Sequence, residues 1–369
     1  MKAVRIHGPN DLRIDDIPAP VPGPRDVLVR VAVAGICGTD VAFTKVGGVA
    51  GPTTEPFTLG HELAGTIAEV GAEVQGMKAG DRVIVNPMGD GNGIGNGAPW
   101  GGAFAPWLLV TNATVGGAIH PIPDELSFER AALAEPLSVA THAVNRSGAG
   151  PGDKVVVMGA GPIGLGIVFG LARRGVTNIT VVDMADSRLE RARALGASTT
   201  INPAREDVFE ALCRTHGKGD VFGWPVANAN LWFEVTGVGA VLQSLVTMAP
   251  FHAKLVIVAV HHAEVPINFQ IALAKELSFE MSLAYPDEFP RRDRGALRHQ
   301  RGHLGAGEPS LRIRRFPRGL RGLAGQAEFR EGAGALRWLR LTARYASPIW
   351  RTPFSRKPCR RSSPPRPPW

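Results

Sequence analysis

Cysteine is scarce in this sequence: Cys37, Cys213 and Cys359 are the three in 369 residues. Three scattered thiols make no disulfide framework, and the chain fits a reducing compartment. No run reaches the roughly 18 uninterrupted apolar residues that a membrane span needs, and MKAVRIHG does not open like a secretory signal. A cytoplasmic protein with no membrane partner is therefore expected. Internal repeats are also absent, which sets aside solenoids and propellers.

Positive charge is missing from most of the chain despite a net charge of +8. Residues 291–369 hold 20 Lys+Arg against 4 Asp+Glu, which from totals of 41 and 33 leaves 21 against 29 for residues 1–290. The basic balance belongs to the tail alone, so it does not make the rest of the protein a nucleic-acid binder.

What is present is enough chain for two cores, at about 100–200 residues per domain. Residues 1–145 read as strands and turns: 26–33, Gly65 to Val70 and Arg82 to Val85 are strand-like and separated by Gly- and Asp-rich turns. An antiparallel, barrel-like domain is the simplest packing for them. Residues 146–290 alternate strand and helix, with later strands expected at Leu231–Val235, Leu255–Val260 and Phe279–Ala284, the pattern of a doubly wound parallel sheet. Residues 86–106 read as a Gly/Asn-rich loop and residues 220–230 as a loop insertion.

The second region is organised around Asp153 to Gly196. Val155, Val156, Val157 and Met158 form a β-branched run, Gly159-Ala160-Gly161-Pro162-Ile163-Gly164 follows at once, and helical composition comes next. A second β-branched run ends in Asp183, 19 residues beyond Gly164. That is the βαβ dinucleotide fingerprint with its acid in place. Gly159 permits the tight turn, Gly161 lets backbone approach a pyrophosphate, and Gly164 lets helix pack on strand. The helix N-terminus, with Pro162 and Ile163 in its first turn, offers N–H groups to the phosphates. Asp183 would accept from the adenine ribose hydroxyls and repel a 2′-phosphate, favouring NAD over NADP. Arg188, in the following helix, joins the cofactor-binding candidates.

Cys37, in Gly35-Ile36-Cys37-Gly38-Thr39-Asp40, follows a predicted strand in a turn where its sulfur could face a cleft. Alone it reads more readily as a buried structural cysteine. His61, Glu62 and Glu135 each have a bland reading too: a satisfied histidine, a solvated glutamate, a helix-start glutamate. Together they supply a thiolate, an imidazole and carboxylates, the donor types of a catalytic zinc with an open position. Spacing alone does not show that they converge.

The order CGTD, GHE, AEPL, GAGPIG resembles the zinc-dependent medium-chain dehydrogenases of alcohols and polyols over residues 1–290. The resemblance implies a GroES-like β-barrel catalytic domain over 1–145, a Rossmann NAD-binding domain over 146–290, and an active site between them. It implies Cys37, His61 and Glu135 as zinc ligands, Glu62 as an alternate ligand, and Thr39 as the hydroxyl that takes the alcohol proton. A homo-oligomer is expected if the fold is intact. Two departures bear on this. Residues 63–134 contain no cysteine, so the four-thiolate structural zinc of many relatives is excluded and one zinc per chain is expected. Ala42 stands where many relatives carry the outer histidine of the proton relay. The alternatives are a zinc-free enone or quinone reductase of the same superfamily and a catalytically silent nucleotide-binding protein.

Beyond Pro290 the family pattern fails. Lys357 is the sole lysine among the tail's 20 basic residues, a composition that GC-rich DNA gives when translated out of frame. With permitted codons, Arg291 to Ala296 read one nucleotide later gives Ala-Val-Ile-Ala-Ala-Leu, and later stretches give the expected helix and closing strand in order. The tail, residues 291–369, is expected to be out of frame and disordered. A basic arm binding nucleic acid, or a Pro-rich ligand around Pro364 to Pro368, is the rival; RGG repeats and interleaved aromatics are lacking.

Overall fold

A computed structural model describes residues 1–98 and 101–289 and the backbone of Gln326–Glu328. The N-terminal strands are β1 (Lys2–Gly8), β2 (Asp11–Asp16), β3 (Val27–Gly35), β4 (Phe57–Thr58), β5 (Glu62–Val70), β6 (Arg82–Val85), β7 (Trp107–Val110) and β8 (Ile119–Pro121). Antiparallel pairing builds a small sheet, β2-β1-β4, and a larger one in which β3, β5, β6 and β8 follow in order and β7 adds to β3. Of the nine residues of β3 only Arg30 is exposed, because the strand has partners on both edges. Val4, Val29, Leu59, Leu63, Ile67 and Phe104 share the core beneath these sheets. Each such side chain, fully buried, contributes about 1.5–3 kcal/mol relative to leaving it in water.

Register matters for the site. The β3–β5 ladder pairs Gly35 with Glu62 and Val33 with Ala64. It therefore runs further than the expected Gly65 to Val70, and sets the end of β3, two residues before Cys37, against the start of β5. A Cβ on Gly35 would collide with the Glu62 carboxylate, so this close approach depends on glycine.

Three helices follow from this first region: α1 (Gly38–Val46), α2 (Phe128–Ala131) and α3 (Ala134–Ser147). The second region has strands β9 (Lys154–Met158), β10 (Asn178–Val182), β11 (Thr199–Ile201), β12 (Lys218–Val221), β13 (Trp224–Ala227), β14 (Leu231–Glu234), β15 (Lys254–Ile257) and β16 (Ser278–Met281). Its helices are α4 (Pro162–Arg173), α5 (Asp186–Leu195), α6 (Val208–His216), α7 (Gly239–Met248) and α8 (Phe269–Ala274). The parallel order is β11-β10-β9-β14-β15-β16. Alternate residues divide between its faces: Val155, Val157, Ile179 and Phe233 pack on one core, and Val156, Met158, Trp232 and Leu255 on the other. A sheet covered on both faces needs such continuous apolar strands, which is why they were visible in the sequence.

The expected loop insertion at 220–230 is instead a two-stranded hairpin, β12 paired antiparallel with β13. Its turn uses φ of 52° at Phe222 and 83° at Gly223, and Asp220 Oδ1 accepts from the Gly223 N–H at 2.8 Å. The usual signal of Asn or Gly at the first turn position is absent, and Phe222 takes that conformation against its steric preference.

After β16 the chain returns to the first region. Tyr285 and Phe289 are buried with Val33, Ala64, Ile84 and Ala134, and the Phe289 ring lies tilted against His120 with centroids 4.9 Å apart. Glu288 accepts from His142 Nδ1 at 2.9 Å and Asn145 Nδ2 at 3.0 Å, both on α3. The expected character of the tail falls on residues outside those described, apart from β17 (Gln326–Glu328), whose backbone pairs with Val33 to Gly35 on the edge of β3. Among the described residues no helix is long and apolar enough to cross a membrane.

Candidate active site

Cys37 is the N-cap of α1, held by reciprocal hydrogen bonding in which the Cys37 N–H donates to Asp40 Oδ2 at 2.8 Å. His61 and Glu62 arrive at the start of β5, opposite Gly35. One donor atom each from Cys37, His61 and Glu62 lie within 4.8 Å of one another. Side chains from two stretches separated by α1, a loop and β4 therefore meet where the sequence alone left their convergence open. Thr39, half-buried, is the second residue of α1. Glu135, in the first turn of α3, is buried beside the cluster without joining that mutual set of three donors.

The site is built for a cation. Asp40 and His61 are buried, and Asp40 Oδ1 faces His61 Nδ1 at 3.7 Å with neither atom hydrogen-bonded. Burial raises the Glu62 pKa to about 8, and the nearby Glu135 charge pushes it the same way. Burial also raises Glu135 and the Cys37 thiol. Burial works against the His61 cation, but Asp40 and Cys37 more than offset it and its pKa stands well above the imidazole range. A thiol, an imidazole and two carboxylates gathered in a dry place, the thiolate and carboxylates repelling one another when ionised, fit a divalent ion that would relieve them. At 3.7 Å the Asp40–His61 contact is electrostatic and not a hydrogen bond, on the side from which a carboxylate orients a ligating histidine.

Sequence reading missed Tyr285. Its hydroxyl donates to Glu135, and burial raises its pKa far above the usual phenol value. No motif flags it, because it reaches the site only through the return of the chain after β16. Asp40 was quoted within CGTD but given no role, and its buried carboxylate supplies the bond that shapes the turn. The loop that carries thiolates in many relatives is held here by other means. Asn92 donates to the carbonyls of Gly89 and Thr111 at 3.0 and 2.9 Å, and Asp90 Oδ2 accepts from the Thr114 and Ala118 N–H groups, each at 2.8 Å.

The second half of the site is the turn after β9. Gly159 has φ of 109°, and a Cβ there would press on Thr236 and Val235 at 3.1 and 3.2 Å. A Cβ on Gly164 would strike the Gly159 carbonyl, whereas one on Gly161 would meet nothing within 4 Å. The middle glycine thus borders open space at the N-terminus of α4, whose first residues are Pro162 and Ile163. Asp183 directly follows β10 and accepts from Ala160 N–H and Ala185 N–H, both at 2.8 Å, which ties the glycine turn to the end of that strand. A carboxylate has about four lone-pair sites, so capacity remains for ribose hydroxyls. Arg188 Nη1 lies 3.7 Å from Asp183 Oδ2 on an exposed side chain.

Residues 23–124 match the family model of the alcohol dehydrogenase GroES-like domain, and residues 162–294 match that of zinc-binding dehydrogenases. (R,R)-butanediol dehydrogenase of Bacillus subtilis is 34% identical over 313 residues, covering 79% of this chain and 86% of its own. The chain belongs to the zinc-binding dehydrogenase family. Sorbitol dehydrogenase of the same organism is 33% identical over 310 residues, covering 79% and 84%. The crystal structure of 2R,3R-butanediol dehydrogenase from Bacillus subtilis superposes with a TM-score of 0.66 at 32% identity, covering 78% of this chain and 86% of that one. Two other structures carry nucleotides. An Escherichia coli protein described as a short chain alcohol dehydrogenase, complexed with NADH, gives a TM-score of 0.66 at 28% identity, covering 79% and 85%. A zinc-binding dehydrogenase from Sinorhizobium meliloti, bound to NADP, gives 0.65 at 28%, covering 78% and 85%. As a zinc-binding dehydrogenase the chain is an oxidoreductase with a GroES-like region, which holds Cys37, His61 and Glu62, and a Rossmann sheet, which carries the glycine turn.

Proposed function

We propose that the protein transfers hydride from a secondary alcohol or polyol to NAD, with one zinc per chain held by Cys37, His61 and Glu135, and Glu62 as an alternate ligand. The observation that carries this is the convergence of the half-buried Cys37 with the buried His61 and Glu62, their donor atoms within 4.8 Å of one another. A zinc-free reductase has no use for such a set. When bound, zinc supplies Lewis-acid polarisation of an alcohol oxygen.

The chain's own residues do the rest. Asp40 orients His61 through their facing atoms, and the N–H of Cys37 fixes Asp40 in turn. Tyr285 donates to Glu135 and so limits how that carboxylate turns. Thr39, half-buried at the start of α1, takes the alcohol proton in this reading and passes it outward. Ala42 offers no further relay group, so the proton leaves to water. Gly159, Gly161, Pro162, Ile163 and Gly164 present the diphosphate cradle. Asp183 binds the ribose and disfavours a 2′-phosphate, with Arg188 completing that rim.

The domain division that goes with this reading is a catalytic domain over 1–145 and a nucleotide domain over 146–290, in the cytoplasm. Strand β16, at the sheet edge among the described residues, and the exposed Phe269, Leu273, Met281 and Leu283 support a homo-oligomer, since such an edge with apolar neighbours invites pairing. The tail after residue 290 is assigned to a shifted reading frame, supported by its composition and by its out-of-register recovery of family-like sequence.

Metal analysis of the dialysed full chain, with NAD- and NADP-linked oxidation of butane-2,3-diol and sorbitol, tests the proposal. One zinc and a marked preference for NAD are expected. Two tightly held zincs, or equal use of the two cofactors, would contradict it.

A further inference from the structure

Sheet order decides which strand ends lie under each half of a bound dinucleotide. The diphosphate belongs on the turn after β9, and the adenosine lies toward Asp183 at the end of β10. The other half therefore extends the opposite way, over the carboxyl ends of β14 and β15. A buried pair stands there that none of the roles above uses. Glu234, the last residue of β14, has a wholly buried side chain. Its Oε1 accepts from the N–H groups of Thr236 and Gly237, at 2.8 and 3.2 Å, and from the Thr236 hydroxyl. Its Oε2 lies 3.0 Å from His261 Nε2. A carboxylate only accepts, so Nε2 carries the proton and donates.

The same residue joins two loops through its backbone, since its carbonyl accepts from Val258 and Ala259 at 3.0 and 3.2 Å. A Cβ on Gly237 would meet the Val260 carbonyl at 3.0 Å, and Gly159 approaches Thr236 as closely. The glycine turn, residues 235–237 and residues 258–261 thus form one continuous floor. A buried carboxylate is costly unless fully paired, and an apolar side chain would serve a packing role at lower cost.

We propose that the Glu234–His261 clamp is a positioning element for the nicotinamide half of the cofactor, holding the strand-end loops in the geometry that receives it. This rests on the nicotinamide cofactor of the proposed function. The test uses the full chain with His261→Ala, His261→Gln and Glu234→Gln, titrated with NADH and with ADP-ribose. ADP-ribose keeps the adenine and diphosphate contacts and lacks the nicotinamide. His261→Ala and Glu234→Gln should weaken NADH about tenfold, the worth of one charge-assisted hydrogen bond, and leave ADP-ribose within about twofold. His261→Gln, which keeps an N–H donor, should recover most of the affinity. Unchanged NADH binding, or equal loss of both ligands, would overturn the clamp. If the unmodified chain binds neither ligand, the cofactor reading itself fails and takes the clamp with it.

Discussion

The dinucleotide turn is made from one stretch of chain and largely from backbone, whereas the metal cluster draws buried side chains from stretches far apart in sequence. Residues 155–183 carry the whole turn: strand, glycines, helix start and acid, locked by the Asp183 bond to Ala160. The cluster needs the end of β3, the start of β5, the first turn of α3 and the return of the chain at Tyr285. The first kind of site is specified by steric permission, where a Cβ has no room or must leave room. The second is specified by charge: donors that cannot all ionise in a dry place unless a cation joins them.

The difference can be tested by breaking one half and watching the other. The double variant Cys37→Ala with His61→Ala should lose its zinc and at least about a thousandfold of turnover, roughly the several kcal/mol that metal polarisation supplies. NADH affinity, measured on the same sample, should be unchanged, because the turn is built independently. Loss of nucleotide binding together with turnover would show that the two regions are not separable.

Asp40→Asn acts one shell further out. It keeps the shape while weakening the partner of His61, and should lower zinc affinity about 10- to 100-fold by competitive chelation. On the other side of the comparison, Asp183→Ala should cut the preference for NAD over NADP by about tenfold, roughly one hydrogen bond to a charged group. It removes a lock on Ala160 as well, so a modest loss of thermal stability should accompany it.

How much of this was legible follows the same division. Val155 to Met158, Gly159 to Gly164 and Asp183 announced the nucleotide turn, because period, glycine placement and spacing are local properties. Cys37, His61 and Glu62 became a site only through the order of their motifs, since sequence spacing does not encode the β3–β5 register that joins Gly35 to Glu62. Tyr285 and the Glu234–His261 pair gave no signal, being polar residues in ordinary apolar strand-end contexts. The hairpin at 218–227 was hidden by Phe222, which takes a positive φ at the first turn position, where Asn or Gly is the usual signal.

The smallest effect concerns the joint between the regions. Burial works against the Glu288 carboxylate, but hydrogen bonds from His142 and Asn145 hold its pKa below the ordinary 4.5. A depressed carboxylate stabilises the folded state above its unfolded pKa, and that contribution is lost as pH falls through the lower folded value. Glu288→Gln should therefore cost about 1 kcal/mol at pH 7, with the difference from the unmodified chain fading in melts below pH 4.5. An equal difference at acid and neutral pH would remove the charge from the explanation.

The central claim is that both regions serve one reaction, alcohol oxidation in which Cys37, His61 and Glu135, with Glu62 as alternate, hold the metal and the turn after β9 holds the nucleotide. Its most direct test is NAD reduction by secondary alcohols and polyols, followed on the full chain before chelation, after chelation, and after zinc is returned. The account predicts that turnover disappears on chelation and comes back with zinc, while NADH binding stays constant throughout. Turnover that survives complete removal of the metal would contradict it.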